Sequence, residues 1–342
     1  MFITKDKPFL ISEISANHCG KISNAKKLIS LAKKYGADAV KLQTYTADTM
    51  TIKSDKKKFK INSGLWKGYT LWDLYNKAET PLDWHEELFL YAKKIGIKIF
   101  STPFDISSVD FLKKLNCPCY KISSFEITDL PLIKKVALTK KPLIISTGMA
   151  NMEEINDAFM VAKRYGSKDI TLLYCVSNYP SKRADFNLNN IKLLKEKFKC
   201  RVGLSDHSLD LEIAKAAVAA GADVFEKHVA LKGEEKGLDY QFSLIERDIK
   251  VFRDAINETH FLMGKKYFYR SKEEFENKRY RRSIFAIKDI EKGELFNKHN
   301  IKCLRPNIGI SPKHFDVILG KKSPIKIKSG DPINKKIYLQ IK

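Results

Sequence analysis

Two histidines stand at matched positions, each at the end of an apolar run. His207 follows Arg201–Leu204, and His228 follows Ala222–Lys227. If the two runs are neighbouring parallel strands, the imidazoles can meet at one divalent cation. Such a thin ligand set leaves room for water or a substrate oxygen, which suits a Lewis acid that holds an aldehyde. Glu13 ends the first apolar run and either reaches the same site or pairs with a buried lysine.

Two lysines and several hydroxyl groups end the other apolar runs. Lys41 and Lys121 lie in segments that otherwise read as buried strands, so each needs a partner or a ligand. They are either structural partners or the cations of an anion site, with hydroxyl donors beside them. The hydroxyl candidates are Thr102, Ser124, Ser146, Ser177 and Ser205. His18, which follows the same run as Glu13, is either structural or part of the site.

The elements that must position these residues alternate regularly from about residue 8 to residue 265. The predicted strands are Phe9–Ile14, Ala39–Gln43, Lys98–Ser101, Cys119–Ser123, Leu143–Ser146, Thr171–Cys175, Arg201–Leu204 and Ala222–Lys227. An amphipathic segment follows each, and parallel strands need such crossover helices. Eight units predict a (β/α)₈ TIM barrel. A doubly wound open sheet is the alternative, but no Gly-x-Gly-x-x-Gly motif supports it.

Two connections of the predicted barrel are unusually long. They run from Thr44 to about Pro81 and from Val229 to about Glu246. Long connections in a compact domain are often functional. Both leave the carboxyl ends of strands, the face where barrel enzymes hold their active sites and where the polar residues collect.

The pattern changes after residue 265. We expect the barrel over residues 1–265, a charged and partly helical linker over 266–281, and a small β-rich domain over 282–342. Short strands, glycine turns and Arg305-Pro306 mark the last part.

Composition narrows the class of protein. The formal net charge is +23 over 342 residues, yet the lysines are spread along the chain and no nucleic-acid-binding motif is present. The six cysteines have no zinc-finger spacing, and reduced thiols are expected. No apolar run reaches a membrane-spanning length, and the first residues lack the core of a secretion signal. We therefore expect a cytoplasmic protein without a nucleic-acid or membrane partner.

An ordered set of short motifs resembles the sialic acid synthase family. The motifs are Ser12-Glu-Ile-Ser-Ala-Asn-His18, Lys41-Leu-Gln-Thr44, Phe100-Ser-Thr-Pro-Phe104, Tyr120-Lys-Ile-Ser-Ser124, Ser146-Thr-Gly-Met149, Gly203-Leu-Ser-Asp-His207 and Glu226-Lys-His228. Downstream, Ser283–Glu294 and Arg305-Pro306 resemble the antifreeze-protein-like (SAF-type) domain of those synthases. The resemblance covers nearly the whole chain.

This resemblance implies an enzyme that condenses phosphoenolpyruvate with a sugar aldehyde. It assigns phosphoenolpyruvate to Lys41, Thr102, Lys121, Ser124, Ser146, Ser177 and Ser205. It implies catalytic roles for Glu13, His207 and His228, with Mn²⁺, Mg²⁺ or Co²⁺ on the two histidines. The implied sugar contacts are Gln43, Tyr45, Tyr179, Asp239 and, from the partner subunit of a domain-swapped homodimer, Arg305.

One loop resembles a particular branch of the family. Gly64-Leu-Trp66, Leu71-Trp-Asp-Leu-Tyr75 and Trp84-His85 resemble the pseudaminic acid branch, whose sugar is 2,4-diacetamido-2,4,6-trideoxy-altrose. Ser177 and Ser123–Glu126 depart from the other branches. The alternatives are synthesis of N-acetylneuraminate or N,N'-diacetyllegionaminate, and, in another class, a non-catalytic anion-binding barrel.

Overall fold

The fold of the first part of the chain is a closed parallel barrel. The computed structural model describes residues 2–4, 7–264 and 267–341. In the first of two compact units, Met1–Gly264, eight strands pair in chain order and β1 also pairs with β8. They are β1 (Phe9–Glu13), β2 (Ala39–Thr44), β3 (Lys98–Pro103), β4 (Tyr120–Ile122), β5 (Leu143–Ser146), β6 (Ile170–Cys175), β7 (Arg201–Asp206) and β8 (Val224–Ala230). The predicted (β/α)₈ barrel is confirmed.

Helices separate the strands. They are α1 (Ile22–Lys34), α2 (Ala47–Met50), α3 (Leu71–Ala78), α4 (Trp84–Ile95), α5 (Ile106–Lys114), α6 (Leu130–Ala137), α7 (Met152–Arg164), α8 (Asn189–Phe198), α9 (Leu211–Ala219) and α10 (Arg247–Met263). Local chemistry sets their ends. Asn151 accepts hydrogen bonds from the first backbone amides of α7, and Gly96 ends α4 in a left-handed conformation that glycine adopts readily.

The two long connections contain structure that the sequence pattern did not reveal. The first holds α2 and α3, and Thr70 begins α3 by accepting a hydrogen bond from the Asp73 amide. Helices of four and eight residues are too short to show a clear period. The second contains β9 (Leu244–Ile245), which pairs in parallel with the last two residues of β8.

Strand alternation divides the polar residues at the ends of β7 and β8. Glu226 and His228 line a cavity at the barrel mouth. Lys227 lies between them in sequence and so points the other way. Its ammonium is buried 3.2 Å from the Asp206 carboxylate, and it also bonds the Ser208 carbonyl. The buried pair of Lys227 and Asp206 therefore belongs to the packing outside the barrel and not to the site.

The second unit, Lys265–Lys342, is small and only partly regular. It contains α11 (Lys272–Glu276), β10 (Ser283–Ala286), β11 (Ile301–Leu304), α12 (Phe315–Ile318) and α13 (Lys335–Ile341). The two strands pair antiparallel over a core that includes Ile284, Phe296 and Ile333. The predicted limits at residues 1, 265, 266 and 342 lie outside the described residues, so those limits stay predictions. In the part of the chain that the structure describes, no helix is both long and apolar enough to cross a bilayer.

Candidate active site

A cavity of about 350 Å³ opens at the carboxyl ends of the barrel strands. Its floor is polar, and its outer wall is largely apolar. Many of the residues predicted for the site line it, namely Lys41, Gln43, Tyr45, Lys121, Ser124, Ser146, Tyr179, Ser205, His207, His228 and Asp239. The volume lies within the range of small-molecule sites.

The floor of the cavity contains a buried ionic cluster. The Lys41 Nζ atom lies 2.8 Å from Glu13 Oε2 and 3.3 Å from Glu226 Oε1. Lys121 approaches that same Glu226 oxygen from across the barrel, at 3.4 Å. None of the four side chains is more than 5% exposed. We refer to Glu13, Lys41, Lys121 and Glu226 as the floor cluster.

Charges in the floor cluster are unequally stabilised. Burial lowers the pKa of Lys41, but Glu13 and Glu226 outweigh burial and leave the pKa above its usual value. Burial raises the pKa of Glu226, but Lys121 and Lys41 outweigh it and leave the pKa below its usual value. Burial also lowers the pKa of Lys121, and here Glu226 recovers only part of the loss. The geometry agrees with these directions, because Lys41 contacts two carboxylates and Lys121 contacts one oxygen that it shares with Lys41.

Hydroxyl groups surround the two lysines. Thr102 Oγ1 accepts a hydrogen bond from Lys41 at 3.2 Å, and Ser205 Oγ donates to Glu226 at 3.2 Å. Ser124 Oγ accepts from the Gly148 amide at 3.2 Å. A Cβ atom on Gly148 would lie 2.7 Å from that oxygen and would also collide with Ser177, so only glycine fits between the two serines.

One buried hydroxyl group in the described cavity lining has no partner. Ser146 Oγ is shielded from solvent and forms no hydrogen bond within the described part of the chain, although Ser146 lines the cavity. The Glu226 Oε2 atom is also buried and has no hydrogen-bond partner within the described residues. Buried polar atoms without partners are uncommon in folded proteins, and here both belong to residues that face one cavity.

His207 and His228 lie side by side on the cavity wall. Their ring centroids are 5.3 Å apart, and Phe242 packs against both rings. His207 Nδ1 lies 3.1 Å from the Val176 carbonyl, and His228 Nδ1 lies 3.5 Å from Asp239 Oδ2. Burial raises the pKa of Asp239, but His228 outweighs burial and lowers it.

These histidines fit a metal site whose remaining positions are open. Among residues 2–4, 7–264 and 267–341, no group of three or more His, Cys, Asp or Glu side chains is arranged to hold an ion. Two imidazoles therefore offer only part of a ligand shell. Both Nδ1 atoms face protein oxygens, the Val176 carbonyl and the Asp239 carboxylate, so the Nε2 atoms are the donors left for an ion.

Aromatic side chains from the long connections form the outer wall. Trp66 donates its indole N–H to the Leu238 carbonyl at 3.0 Å, and its ring lies 5.6 Å from that of Tyr179. The Tyr45 ring is buried against Tyr75 and Phe104. The first long connection thereby contacts the second above the cavity.

Comparison with known proteins identifies the family. The NeuB family profile matches residues 28–267, and a SAF domain profile matches residues 281–336. The chain belongs to the NeuB family. The SAF match overlaps residues 282–342, for which an antifreeze-protein-like domain was predicted, and begins one residue before them.

This NeuB family chain is similar in sequence to several named synthases. It is 42% identical over 332 residues to a pseudaminic acid synthase of Campylobacter jejuni, covering 97% of each chain. A pseudaminic acid synthase of Helicobacter pylori is 43% identical over 328 residues, 96% of each chain. An N,N'-diacetyllegionaminic acid synthase of C. jejuni is 40% identical over 319 residues, covering 92% of this chain and 95% of that one.

A solved structure is similar in fold and sequence. The N-acetylneuraminic acid synthetase of Leptospira borgpetersenii, in complex with citrate, superposes with a TM-score of 0.72 at 28% identity. The match covers 80% of this chain and 90% of that protein.

The remaining predicted residues lie outside the cavity lining. Glu13 and Thr102 stand behind Lys41, and Ser177 lies beside Cys175 with an Oγ–Sγ distance of 3.7 Å. Arg305 is exposed in the second unit, directly after β11. The roles assigned to all of these residues stay predictions.

Three further cavity residues, Glu226, Glu126 and Cys175, were not among the site residues predicted from the sequence. Glu226 precedes His228 by two positions and shares its face of β8, so strand alternation was the available signal. Burial raises the pKa of Glu126 to about 7, with Lys121 opposing it. Burial raises the pKa of Cys175, but His207 outweighs burial and leaves it at about 7. No local pattern marks the last two.

His18 belongs to the packing of the barrel rather than to the cavity lining. It is 1% exposed, lies edge-on to Trp84 at 5.4 Å, and accepts a hydrogen bond from the Gly20 amide at Nδ1. Burial lowers the pKa of His18 from the usual 6.5 to about 4, despite the opposing Ala78 carbonyl.

Acid should therefore destabilise the fold through His18. Because the folded pKa is the lower one, the unfolded chain binds the extra proton, and stability falls as pH drops from about 6.5 to about 4. Between pH 7 and pH 5 we expect this residue to account for about 2 kcal/mol of lost unfolding free energy. Urea titrations of wild type and His18→Gln at both pH values measure it. An equal pH dependence in the two proteins would contradict this assignment.

Proposed function

We propose that this chain is a pseudaminic acid synthase, which joins phosphoenolpyruvate to 2,4-diacetamido-2,4,6-trideoxy-altrose and releases inorganic phosphate. The observation that carries the proposal is one cavity lined by two kinds of group. The lysines and hydroxyl groups, which form the lysine side, suit an anion, and the histidine pair, which forms the histidine side, suits a carbonyl oxygen. The relatives named pseudaminic acid synthase support this choice of sugar, since they match nearly the whole chain.

Phosphoenolpyruvate would occupy the lysine side. Its carboxylate and phosphate need compact cations and several donors, and Lys41 and Lys121 provide the cations. Ser124, Ser146, Ser177, Ser205 and Thr102 provide hydroxyl groups around them. The partnerless hydroxyl of Ser146 would then donate to a substrate oxygen, which accounts for its burial without a hydrogen bond.

The reaction balances with one water molecule. The C3 carbon of phosphoenolpyruvate attacks the aldehyde carbon of the sugar, and the new C–C bond leaves positive charge on C2. Water adds to C2 and loses a proton, and the aldehyde oxygen gains a proton. The C2–O bond to phosphate then breaks, the C2 hydroxyl group becomes the ketone, and its proton leaves with the phosphate. Glu226 faces the cavity with a free Oε2, so it can take the proton of the water, while Glu13 stands behind Lys41 and holds its charge. Glu13 stays the alternative acceptor.

His207 and His228 would hold a divalent ion such as Mn²⁺, Mg²⁺ or Co²⁺. When bound there, such an ion supplies a Lewis acid for the aldehyde oxygen. Asp239 orients the His228 ring through its contact with Nδ1. Phe242 restricts the motion of both rings by packing against them.

The outer wall favours a sugar without a hydroxyl group at C6. Trp66 and Tyr179 face the cavity, and the nearby lining includes Ile61, Leu71 and Leu74. An apolar wall binds a methyl group well and gives a buried hydroxyl group no partner. Gln43, Tyr45 and Asp239 supply polar groups near this wall for the other substituents of the sugar.

One assay tests the function. Purified protein is incubated with phosphoenolpyruvate, Mn²⁺ and one of three sugars: the altrose derivative, the legionaminate precursor or N-acetylmannosamine. We expect phosphate release with the altrose derivative to exceed that with the other two at least tenfold, which corresponds to about 1.4 kcal/mol. EDTA should stop release and added Mn²⁺ should restore it.

Three outcomes of that assay count against the account. The absence of phosphate release with all three sugars would favour the anion-binding barrel. A preference for one of the other two sugars would overturn the branch assignment. Full turnover in EDTA would remove the metal from the proposal. Lys114→Met, a change at an exposed position on α5, serves as the preparation control.

We also propose that the enzyme works as a domain-swapped homodimer in the cytoplasm. Apolar side chains are exposed before and within the linker: Phe261 is 82% exposed and Phe268 84%, with Leu262, Tyr269 and Phe275 also exposed. Such a run in a single chain suits coverage by a second copy.

Subunit mixing tests the dimer and the role of Arg305 together. His207→Ala and Arg305→Ala should each be inactive alone. If Arg305 reaches the barrel of the partner subunit, co-expressed variants form mixed dimers with one complete site, and activity returns to about a quarter of wild type by statistical pairing. Light scattering should give twice the 39.3 kDa chain mass. No recovery, despite mixed dimers detected by two affinity tags, would contradict the swap.

A further inference from the structure

Asn17 makes an unusual set of long-range hydrogen bonds. It is 1% exposed in the turn after β1, and its Nδ2 donates to the Val229 carbonyl and to Ser243 Oγ, both at 2.9 Å. Its Oδ1 accepts from the Asp239 amide at 3.3 Å. All three partners lie more than 200 residues away in sequence.

Two of these bonds, to Ser243 and Asp239, fix one short segment, Gly237–Ser243, which we call the clamp segment. Ser243 Oγ also donates to the Asp239 carbonyl at 2.6 Å, so the amide of Asn17 and the hydroxyl of Ser243 together hold both ends of the Asp239 backbone. A Cβ atom on Gly237 would come within 2.7 Å of Asn17 Oδ1, so the backbone packs directly on the amide.

The clamp segment carries two residues that touch the histidine side of the cavity. Asp239 lies 3.5 Å from His228 Nδ1, and the Phe242 ring lies 5.0 Å from that of His228 and 5.8 Å from that of His207. Lys41, Lys121 and Ser146 belong to other strands and make no bond to this segment within the described residues.

We propose that Asn17 is a positioning residue for the metal and sugar half of the site. This inference rests on the proposed function and adds a residue that supports the same site. Asn17 acts by placing Asp239 and Phe242 against the two histidines. Its loss should therefore weaken divalent-ion and sugar binding and leave phosphoenolpyruvate binding unchanged. A residue that only stabilised the fold would not separate the two substrates.

Asn24 offers a matched control. It is also a buried asparagine, and its Nδ2 donates to Glu234 at 2.9 Å, within the same connection between β8 and α10. Glu234 precedes the clamp segment, and Asn24 is not among the residues that line the candidate active site. Asn24→Ala thus removes a comparable long-range bond without touching Asp239.

The experiment compares Asn17→Ala with Asn24→Ala in the full-length protein. Mn²⁺ affinity is measured by electron paramagnetic resonance without substrates, and KM is measured for each substrate. For Asn17→Ala we expect at least tenfold weaker Mn²⁺ binding and a similar rise in the sugar KM, with the phosphoenolpyruvate KM within twofold of wild type. Hydrogen exchange should increase over 237–243. Asn24→Ala should show none of these changes.

Several results would overturn the proposal. They are unchanged Mn²⁺ affinity in Asn17→Ala, equal increases in both KM values, or the same pattern in Asn24→Ala. If Asn17→Ala does not fold, Ser243→Ala removes the same bridge from the other side and is held to the same criteria. Mn²⁺ affinity and hydrogen exchange do not depend on which sugar reacts, so failure of the proposed function and failure of this inference are distinguishable.

Discussion

Two lysine ammonium groups buried inside one barrel set the main constraint on this molecule. An unpaired charge in a protein interior costs several kcal/mol, so Lys41 and Lys121 require carboxylates within contact distance. Glu13 and Glu226 supply them from β1 and β8. The four residues come from four strands, and Lys121 reaches Glu226 only because the sheet closes. The floor cluster thus links the function to the closed topology.

Under the proposed function, the floor cluster also prepares the site for an anion. Lys41 is held by two carboxylates, whereas Lys121 shares one oxygen of Glu226 with Lys41. Its depressed pKa reflects that incomplete compensation. An arriving phosphate or carboxylate would complete the pairing of Lys121 and occupy the partnerless hydroxyl of Ser146. Substrate binding then adds interactions that the folded protein lacks by itself. The histidine side, with Asp239 and Phe242 fixed by Asn17, is organised separately by the second long connection.

The barrel and the face that holds the candidate site were predictable from the sequence, because both follow from patterns within short segments. Strand and helix periods predict the barrel, and polar residues at strand ends predict which face holds the site. Strand alternation is the one local rule that separates Glu226, which shares the face of His228, from Lys227, which points the other way. The structure adds that Lys227 pairs with Asp206 outside the site. The bonds of Asn17 span more than 200 residues, and no local pattern encodes a contact of that length.

The central claim is that Lys121 is the cation awaiting a substrate anion, and calorimetric titration with phosphoenolpyruvate in the absence of sugar tests it most directly. Lys121→Met leaves Glu226 paired with Lys41, and Lys114→Met removes the same charge from an exposed helix position. The account predicts that Lys121→Met weakens binding at least tenfold, about 1.4 kcal/mol, while Lys114→Met binds like wild type. Wild-type affinity in a folded Lys121→Met protein would contradict it.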